Sequence, residues 1–400
     1  MDIYRKFGVS PIINAAGTLT RLGGSLMLPE VESAMSEAAG AMAPIEQLQA
    51  AASAAIAAAC GSEAGYVVSG AAAGLTLAAA ACMVGTDVVK MGELPFAANS
   101  PDEIIICRSH RNSYDHAFRT AGARLTEVGV SDRYSGAGVR EVEPWEIEAA
   151  ISEKTAAIAY TAGADAQPSL PAVSEVAKRH RIPIIVDAAA QLPPPENLRR
   201  FINQGADLVA FSGGKALRGP QGTGLLAGRR DLIASVALQH LDMDVTFSLW
   251  HPPETLISKK TLKGAPRHGL GRGFKVSKEQ IIGVLVALEL FTLERCRLDR
   301  ENWKTLLSRI ENGIKHCENI NIRNRMPRAR LGYPLLEIQI DEKAFGKSAE
   351  AVAETLRSGN PPIYVGEMKL MEGAVLIHPA NLDAESADLI IARLNTLLNE

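Results

Sequence analysis

The chain has 400 residues, of which 47% are hydrophobic and 22% charged, with a net charge of −3. That size and balance describe a folded chain with more than one domain, and exclude a disordered, collagen-like or disulfide-scaffold protein. Aromatic residues make up only 5% and no long basic tract occurs, which argues against a nucleic-acid partner.

The first residues, Met1-Asp2-Ile3-Tyr4-Arg5-Lys6, lack the apolar core of a signal peptide, and the apolar stretch at 50–60 is too short to span a membrane. Residues 1–45 read as an arm, with Gly-rich loops at Asn14-Ala15-Ala16-Gly17-Thr18 and Arg21-Leu22-Gly23-Gly24-Ser25. An Ala-rich helix is expected over 47–60, a strand over 65–69 and a second Ala-rich helix over 70–84. The apolar run 103–107 has the texture of a strand buried on both faces. A helix over 112–121 follows, then a strand at 124–128, a helix at 144–152, a strand at 156–161 and a helix through 173–179. Further strands are expected at 184–186, ending on Asp187, at 208–211, ending on Ser212, and at 224–227.

This alternation predicts βαβ units and a mostly parallel sheet between helices. One long amphipathic helix is expected over 277–298. Beyond it lie strands at 335–340 and 374–377 and helices at 349–358 and 384–398. The expected organisation is an arm at 1–45, a large α/β domain at 46–270, and a linking helix with a smaller α+β domain at 271–400.

The first chemical candidate is Ser212-Gly213-Gly214-Lys215. It is not a nucleotide phosphate loop, because Val209 stands where that loop needs glycine and Ala216 where it needs Ser or Thr. Gly222-Thr223-Gly224-Leu225-Leu226-Ala227 fits a dinucleotide fingerprint in letters only, since its apolar residues read as strand. A third reading pairs Asp187 with Lys215. Each lies at or just past the carboxyl end of a buried strand, where open parallel sheets bind ligands. A lysine beside a carboxylate suits pyridoxal phosphate: the amine condenses with its aldehyde, and the carboxylate keeps the ring nitrogen protonated. The same spacing also fits a buried Lys–Asp ion pair.

Ser69-Gly70-Ala71-Ala72-Ala73-Gly74, between a strand and a helix, offers small residues and free N–H groups to an anion. Ser69 and Ser212 add hydroxyls. His110 follows the strand at 103–107, where its ring can stack on a flat cofactor or stand in solvent. His240, His251 and Asp242 crowd one region without a recognised ligand spacing, so no metal is expected. The five cysteines (Cys60, Cys82, Cys107, Cys296, Cys317) form no close pair and read as buried, reduced thiols of a cytoplasmic protein.

Together these pieces resemble a fold-type I pyridoxal-phosphate enzyme. The more specific resemblance is to the branch that holds L-seryl-tRNA selenium transferase and D-glucosaminate-6-phosphate ammonia-lyase. It is carried by Ile12-Ile13-Asn14-Ala15-Ala16-Gly17-Thr18, Ser69–Gly74, Val186-Asp187-Ala188-Ala189-Ala190-Gln191, Ser212–Gly222 with its Ser-Gly-Gly-Lys-Ala-Leu-Arg-Gly-Pro-Gln, and Gly271-Arg272-Gly273-Phe274-Lys275-Val276.

The resemblance implies pyridoxal 5'-phosphate bound as a Schiff base on Lys215, with Asp187 on the ring nitrogen. Ala189 lies under one ring face and His110 on the other, while Gly70, Ala71 and Ser212 hold the phosphate. Gln191, Arg218, Arg272 and Arg21 are further cofactor or substrate candidates, with Arg272 able to serve a partner subunit in a homodimer. Pro361-Pro362-Ile363-Tyr364-Val365-Gly366 departs from relatives that carry arginine where Gly366 stands, which implies loss of the usual carboxylate clamp there. The transferases' leading tRNA-binding region has no expected counterpart, and a net charge of −3 disfavours tRNA.

The implied activity is a lyase that removes water and ammonia from a small hydroxylated, D-glucosaminate-like amino acid, giving a 2-oxo acid. A racemase or epimerase begins with the same α-proton removal by Lys215, and an aldolase-type cleavage is a third option. His268 and Tyr114 are candidates for protonating the leaving hydroxyl.

Overall fold

A computed structural model describes residues 3–97, 99–130, 141–327 and 331–398. In chain order its strands begin with β1 (Ile13–Ala15), β2 (Ala64–Val68), β3 (Glu103–Cys107) and β4 (Arg124–Val128). They continue with β5 (Thr155–Thr161), β6 (Ile184–Asp187), β7 (Leu208–Ser212) and β8 (Gly224–Gly228), and end with β9 (Ile320–Arg325), β10 (Leu335–Ile340), β11 (Ile363–Val365) and β12 (Ala374–Ile377).

The chain divides into two compact units. The larger, residues 27–192 and 196–290, is built on a seven-stranded sheet in the order β2-β8-β7-β6-β5-β3-β4. Only β8 runs against its neighbours, pairing antiparallel with both β2 and β7. Successive residues of β2, β7 and β8 are buried, so both faces of these strands are covered. That is why the sequence reads as unbroken apolar runs there rather than as alternation. Helix Ala71–Val84 is buried nearly all round, with Leu75, Leu77, Ala78 and Ala80 in the same core as Ile104, Ile106, Ala210 and Leu226. Alanine suits it twice, being the strongest helix former and small enough for close approach.

The smaller unit comprises residues 1–26, 193–195 and 291–400. Its three-stranded antiparallel sheet has the order β12-β10-β9, and its core joins Ile310, Leu336, Ile338, Val352, Val375 and Ile390. The segment expected as an arm over 1–45 divides. β1 pairs in parallel with β11, Ile13 opposite Ile363, which ties the first residues to the C-terminal unit. Helix Pro29–Ala39 lies in the larger unit, against helix Lys278–Leu290; the approach is so close that a Cβ on Gly283 would lie 2.8 Å from Met35 Cγ. That contact also carries the larger unit past the expected cut at 270.

Two expected helices differ from those observed. The long helix over 277–298 is two helices, Lys278–Leu290 and Leu293–Ile314. The chain is extended at Thr292, whose hydroxyl accepts the Arg295 N–H at 3.2 Å and caps the second helix. The helix expected over 112–121 shortens to His116–Thr120 behind a 3₁₀ turn at Ser113–Asp115, because Asn112 and Asp115 form a capping box there.

Candidate active site

The site is assembled in the larger unit from the carboxyl ends of adjacent parallel strands. β6 and β7 pair with Asp187 opposite Ala210, so Asp187 stands at the sheet edge beside the chain that runs on through Ser212 to Lys215. The loop after β7 folds back on itself: the Gly213 N–H donates to Thr223 O at 2.8 Å and the Gly219 N–H to Gly213 O at 2.9 Å. A Cβ on Gly213 would lie 2.1 Å from Thr223 Oγ1, and one on Gly214 2.4 Å from Gln221 Cα, so only glycine fits at either position. Arg218 takes a left-handed conformation at φ 57° and donates its N–H to Lys215 O at 3.0 Å. These constraints fix the backbone on both sides of Lys215.

Asp187 is held in a way that leaves it available. Its Oδ1 accepts the Ala189 N–H at 3.0 Å, the side chain's one protein hydrogen bond among the described residues. Burial raises its carboxyl above the ordinary aspartate value, the Ala189 amide and the Lys215 charge oppose that rise, and the Asp115 charge adds to it. A carboxylate desolvated this far without a hydrogen-bonding cation is suited to a protonated nitrogen.

His110 is buried; the Gln167 backbone faces its ring, and neither ring nitrogen makes a full hydrogen bond. Its ring stands edge-on to Tyr160, centroids 4.7 Å apart and planes at 84°. Its backbone is pinned where Thr161 Oγ1 donates to His110 O at 2.9 Å. Burial depresses the imidazole's proton affinity, so the neutral ring is favoured.

The phosphate candidates lie where β2 enters helix Ala71–Val84. Gly70 has φ 95° and no side chain caps the helix, which leaves first-turn amides of Ala71 and Ala72 open to an anion. A Cβ on Gly70 would meet nothing within 4 Å, whereas one on Gly224 would lie 2.7 Å from Gly70 C and 2.8 Å from Ala71 N. The start of β8 thus supports the turn from one side and leaves the other open.

Other expected residues have protein partners. Gln191 Nε2 donates to Ala162 O at 2.8 Å, and its carbonyl accepts the Asn197 side-chain amide at 2.6 Å, a bracing arrangement. Arg272 pairs with Asp242 at 2.9 Å. Asp242, Asp244 and His268 form an exposed surface group, with His268 Nε2 3.1 Å from Asp244. His240 is engaged by the Tyr66 hydroxyl and Phe274 O, each at 3.0 Å. In the smaller unit Arg21 pairs with Glu367 at 3.1 Å, and Arg357 pairs with the same carboxylate. Both guanidiniums lie over the Tyr364 ring. Gly366 bridges to Leu376 there, and a Cβ on it would lie 3.0 Å from Leu376 Cβ. A cavity of about 560 Å³ in this unit, lined by Asn14, Arg21, Ser25 and Asn381 among others, contains neither Asp187 nor Lys215.

Sequence reasoning missed Asp115, Tyr160, Thr161 and Thr223. The Asn112-x-x-Asp115 spacing of a capping box was the one signal that pointed to Asp115.

Residues 91–243 match the Aminotransferase class-V family. A Streptomyces protein described as 5'-C-glycyluridine monooxygenase-decarboxylase is 31% identical over 99% of this chain and 92% of its own length. The chain belongs to the fold-type I pyridoxal-phosphate enzymes. D-glucosaminate-6-phosphate ammonia lyase of Salmonella typhimurium is 28% identical to this family member over 99% of the chain and 98% of that protein. The solved structure of D-glucosaminate-6-phosphate ammonia-lyase superposes with a TM-score of 0.78 at 26% identity, covering 100% of this chain and 98% of that one. An L-seryl-tRNA(Sec) selenium transferase of Geotalea uraniireducens is 27% identical over 84% of this chain and 70% of its own length. The family's cofactor is pyridoxal 5'-phosphate. The residues present suit such a group: a buried imidazole, a half-buried carboxylate without a cationic hydrogen-bond partner and an uncapped helix start are groups that a flat ring, a ring nitrogen and a phosphate can use.

Proposed function

We propose that this enzyme is a lyase that removes ammonia from a small hydroxylated amino acid of the D-glucosaminate kind and releases a 2-oxo acid. The observation that carries the reading is similarity along the whole chain to an ammonia lyase, supported by Asp187 at the end of β6, where the Lys215 charge acts on it. When bound, the cofactor supplies an electron sink for the pair left at the substrate α-carbon.

Lys215 would hold the cofactor through Nζ, and the same amine, when free, is placed to take the substrate α-proton. Asp187 holds a proton at the ring nitrogen. The amides of Ala71 and Ala72, with Ser69 and Ser212, bind the phosphate; Ala189 and His110 flank the ring. Gln191 braces the strand end that carries Asp187. Arg218, three residues beyond Lys215, is the first substrate-binding cation we assign, with Arg272 as a further one. In the overall balance a β-hydroxyl leaves as water, water returns to the α-carbon, and ammonia departs.

A second reading, oxygen-dependent decarboxylation, is favoured by the 31% identity to a protein named as a monooxygenase-decarboxylase. The test is incubation of the cofactor-loaded protein with D-glucosaminate, its 6-phosphate and other β-hydroxy amino acids. The lyase reading expects equal amounts of ammonia and 2-oxo acid without oxygen uptake. Oxygen uptake with carbon dioxide release supports the second reading and contradicts the first. Solvent deuterium at the α-carbon without 2-oxo acid contradicts both and supports a racemase.

We also propose that the enzyme works as a homodimer or higher homo-oligomer. Helix Lys278–Leu290 leaves Ile282, Leu285 and Val286 partly exposed beside Ala55 and Ala59, with the exposed Glu289 at the edge of this apolar patch. Among the described residues no helix is long and apolar enough to cross a membrane.

A further inference from the structure

Asp115 is a buried carboxylate that the assigned chemistry does not use. It ends the 3₁₀ turn Ser113–Asp115 and is only 2% exposed. Its Oδ2 accepts the Asn112 N–H at 3.3 Å while Asn112 Oδ1 accepts the Tyr114 N–H at 2.8 Å, a reciprocal cap that fixes the carboxylate in place. The same Oδ2 accepts Arg111 Nε, and Arg111 also pairs with Glu127. Oδ1 has no protein hydrogen bond among the described residues. Asp115 and Asp187 line one narrow crevice with Leu75, Asn112, Tyr160 and Thr161. A helix-turn cap alone needs only an oxygen acceptor, which Asn or Ser supplies. A full charge buried across a crevice from another carboxylate is costly, and its field acts on that neighbour.

We propose that Asp115 is a positioning residue: through the crevice it shares with Asp187, its negative charge raises the proton affinity of the Asp187 carboxyl, and so strengthens the hold on the proton that carboxyl shares with a ring nitrogen. The consequence for the cofactor rests on the assignment of Asp187 to the ring nitrogen; the coupling of the two carboxylates does not. Asp187 is faced by the Ala189 N–H, by the Lys215 charge and by Asp115. Asp115 is faced by Arg111, and Arg111 by Glu127. Tyr114 and Tyr160 also line the crevice, and burial pushes the Tyr160 phenol up, so it stays neutral. A negative charge behind Asp187 makes loss of the shared proton harder, and Arg111 moderates that field. The arrangement therefore carries both signs of control on a single group.

The experiment follows the Asp187 carboxyl by carbon-13 resonance in the full-length, cofactor-free chain, with its signal identified by its loss in Asp187→Asn. Asp115→Asn keeps the capping oxygen and removes the charge. It is expected to move the Asp187 midpoint down by about half a pH unit or more, roughly a threefold loss of proton affinity. Arg111→Gln is expected to move it up, and Asp115→Glu to leave it near the wild-type value. A purely structural cap gives no such opposed pair. An unmoved or raised midpoint in folded Asp115→Asn overturns the proposal. Should that variant not fold, an unmoved or lowered midpoint in Arg111→Gln overturns it. In the loaded protein, cofactor carrying nitrogen-15 in its ring is expected to show an earlier loss of the ring proton in Asp115→Asn as pH rises. Failure of the wild type to bind that cofactor contradicts the Asp187 assignment instead, and leaves the carbon-13 result to decide the coupling.

Discussion

Two carboxylates, one in each unit, are treated in opposite ways. Glu337, on β10 of the smaller unit, is buried and fully partnered. Arg325 donates Nε and Nη2 to its two oxygens at 2.8 and 2.7 Å, Lys369 stands 3.5 Å away and Arg323 3.8 Å. The Arg325 hydrogen bonds, helped by the cationic charges, outweigh burial and hold its carboxyl below the ordinary value. Asp187, on β6 of the larger unit, has one amide and a distant lysine charge, and burial wins. The difference teaches how to tell a structural charge from a functional one: the fold has satisfied Glu337 itself, and has left Asp187 to be satisfied by a ligand.

The largest expected effect lies on the Asp187 side. Asp187→Asn should lower kcat/KM by roughly a thousandfold, measured as 2-oxo acid release, because the ring nitrogen loses its anionic partner. The same substitution should raise the melting temperature of the cofactor-free chain by about 1–3 °C at neutral pH. A carboxyl whose folded value is raised binds protons more tightly folded than unfolded, so stability falls as pH rises through that window and the ionised form stays penalised above it. A melting temperature lowered in Asp187→Asn would break the contrast.

Next in size, Gly224→Ala forces a Cβ against the backbone of Gly70 and Ala71 and should weaken cofactor binding about tenfold or more, read by fluorescence titration. On the other side of the comparison, Glu337→Gln should lower the melting temperature by roughly 3–8 °C and leave cofactor affinity unchanged. The sign with pH is also reversed: the stability Glu337 supplies is present above its unfolded value and is lost as pH falls through its depressed folded value. Acid melting curves of wild type and Glu337→Gln should therefore converge at low pH. The smallest effect belongs to His110→Phe, which removes two buried ring nitrogens that make no full hydrogen bond and should raise the cofactor-free melting temperature by about 1–2 °C.

The sheet core and the Asp187–Lys215 edge were legible in the sequence for one physical reason. Strands buried on both faces write themselves as apolar runs, and a polar residue ending such a run marks the sheet edge. Ser-Gly-Gly-Lys was equally legible, since both glycines are forced, Gly213 by the Thr223 side chain and Gly214 by the Gln221 backbone. The rest depends on non-local pairing or on single side chains. β1 and β11 are three residues each and exist because they pair across the length of the chain, which no local pattern announces. β9 has mostly polar, exposed residues and takes its strand form from β10. The break between Leu290 and Leu293 hides in a continuous helical pattern, with only the cap of Thr292 to end it. Asp115 was hidden inside an expected helix that its own cap shortens.

The most direct measurement of the account is the absorbance of the purified protein from roughly 300 to 500 nm, followed by borohydride reduction and peptide mapping. The account predicts a band near about 410–430 nm that reduction fixes onto Lys215 and that Lys215→Ala abolishes. A colourless protein that cannot be reconstituted, or a label trapped on a lysine other than Lys215, would contradict it.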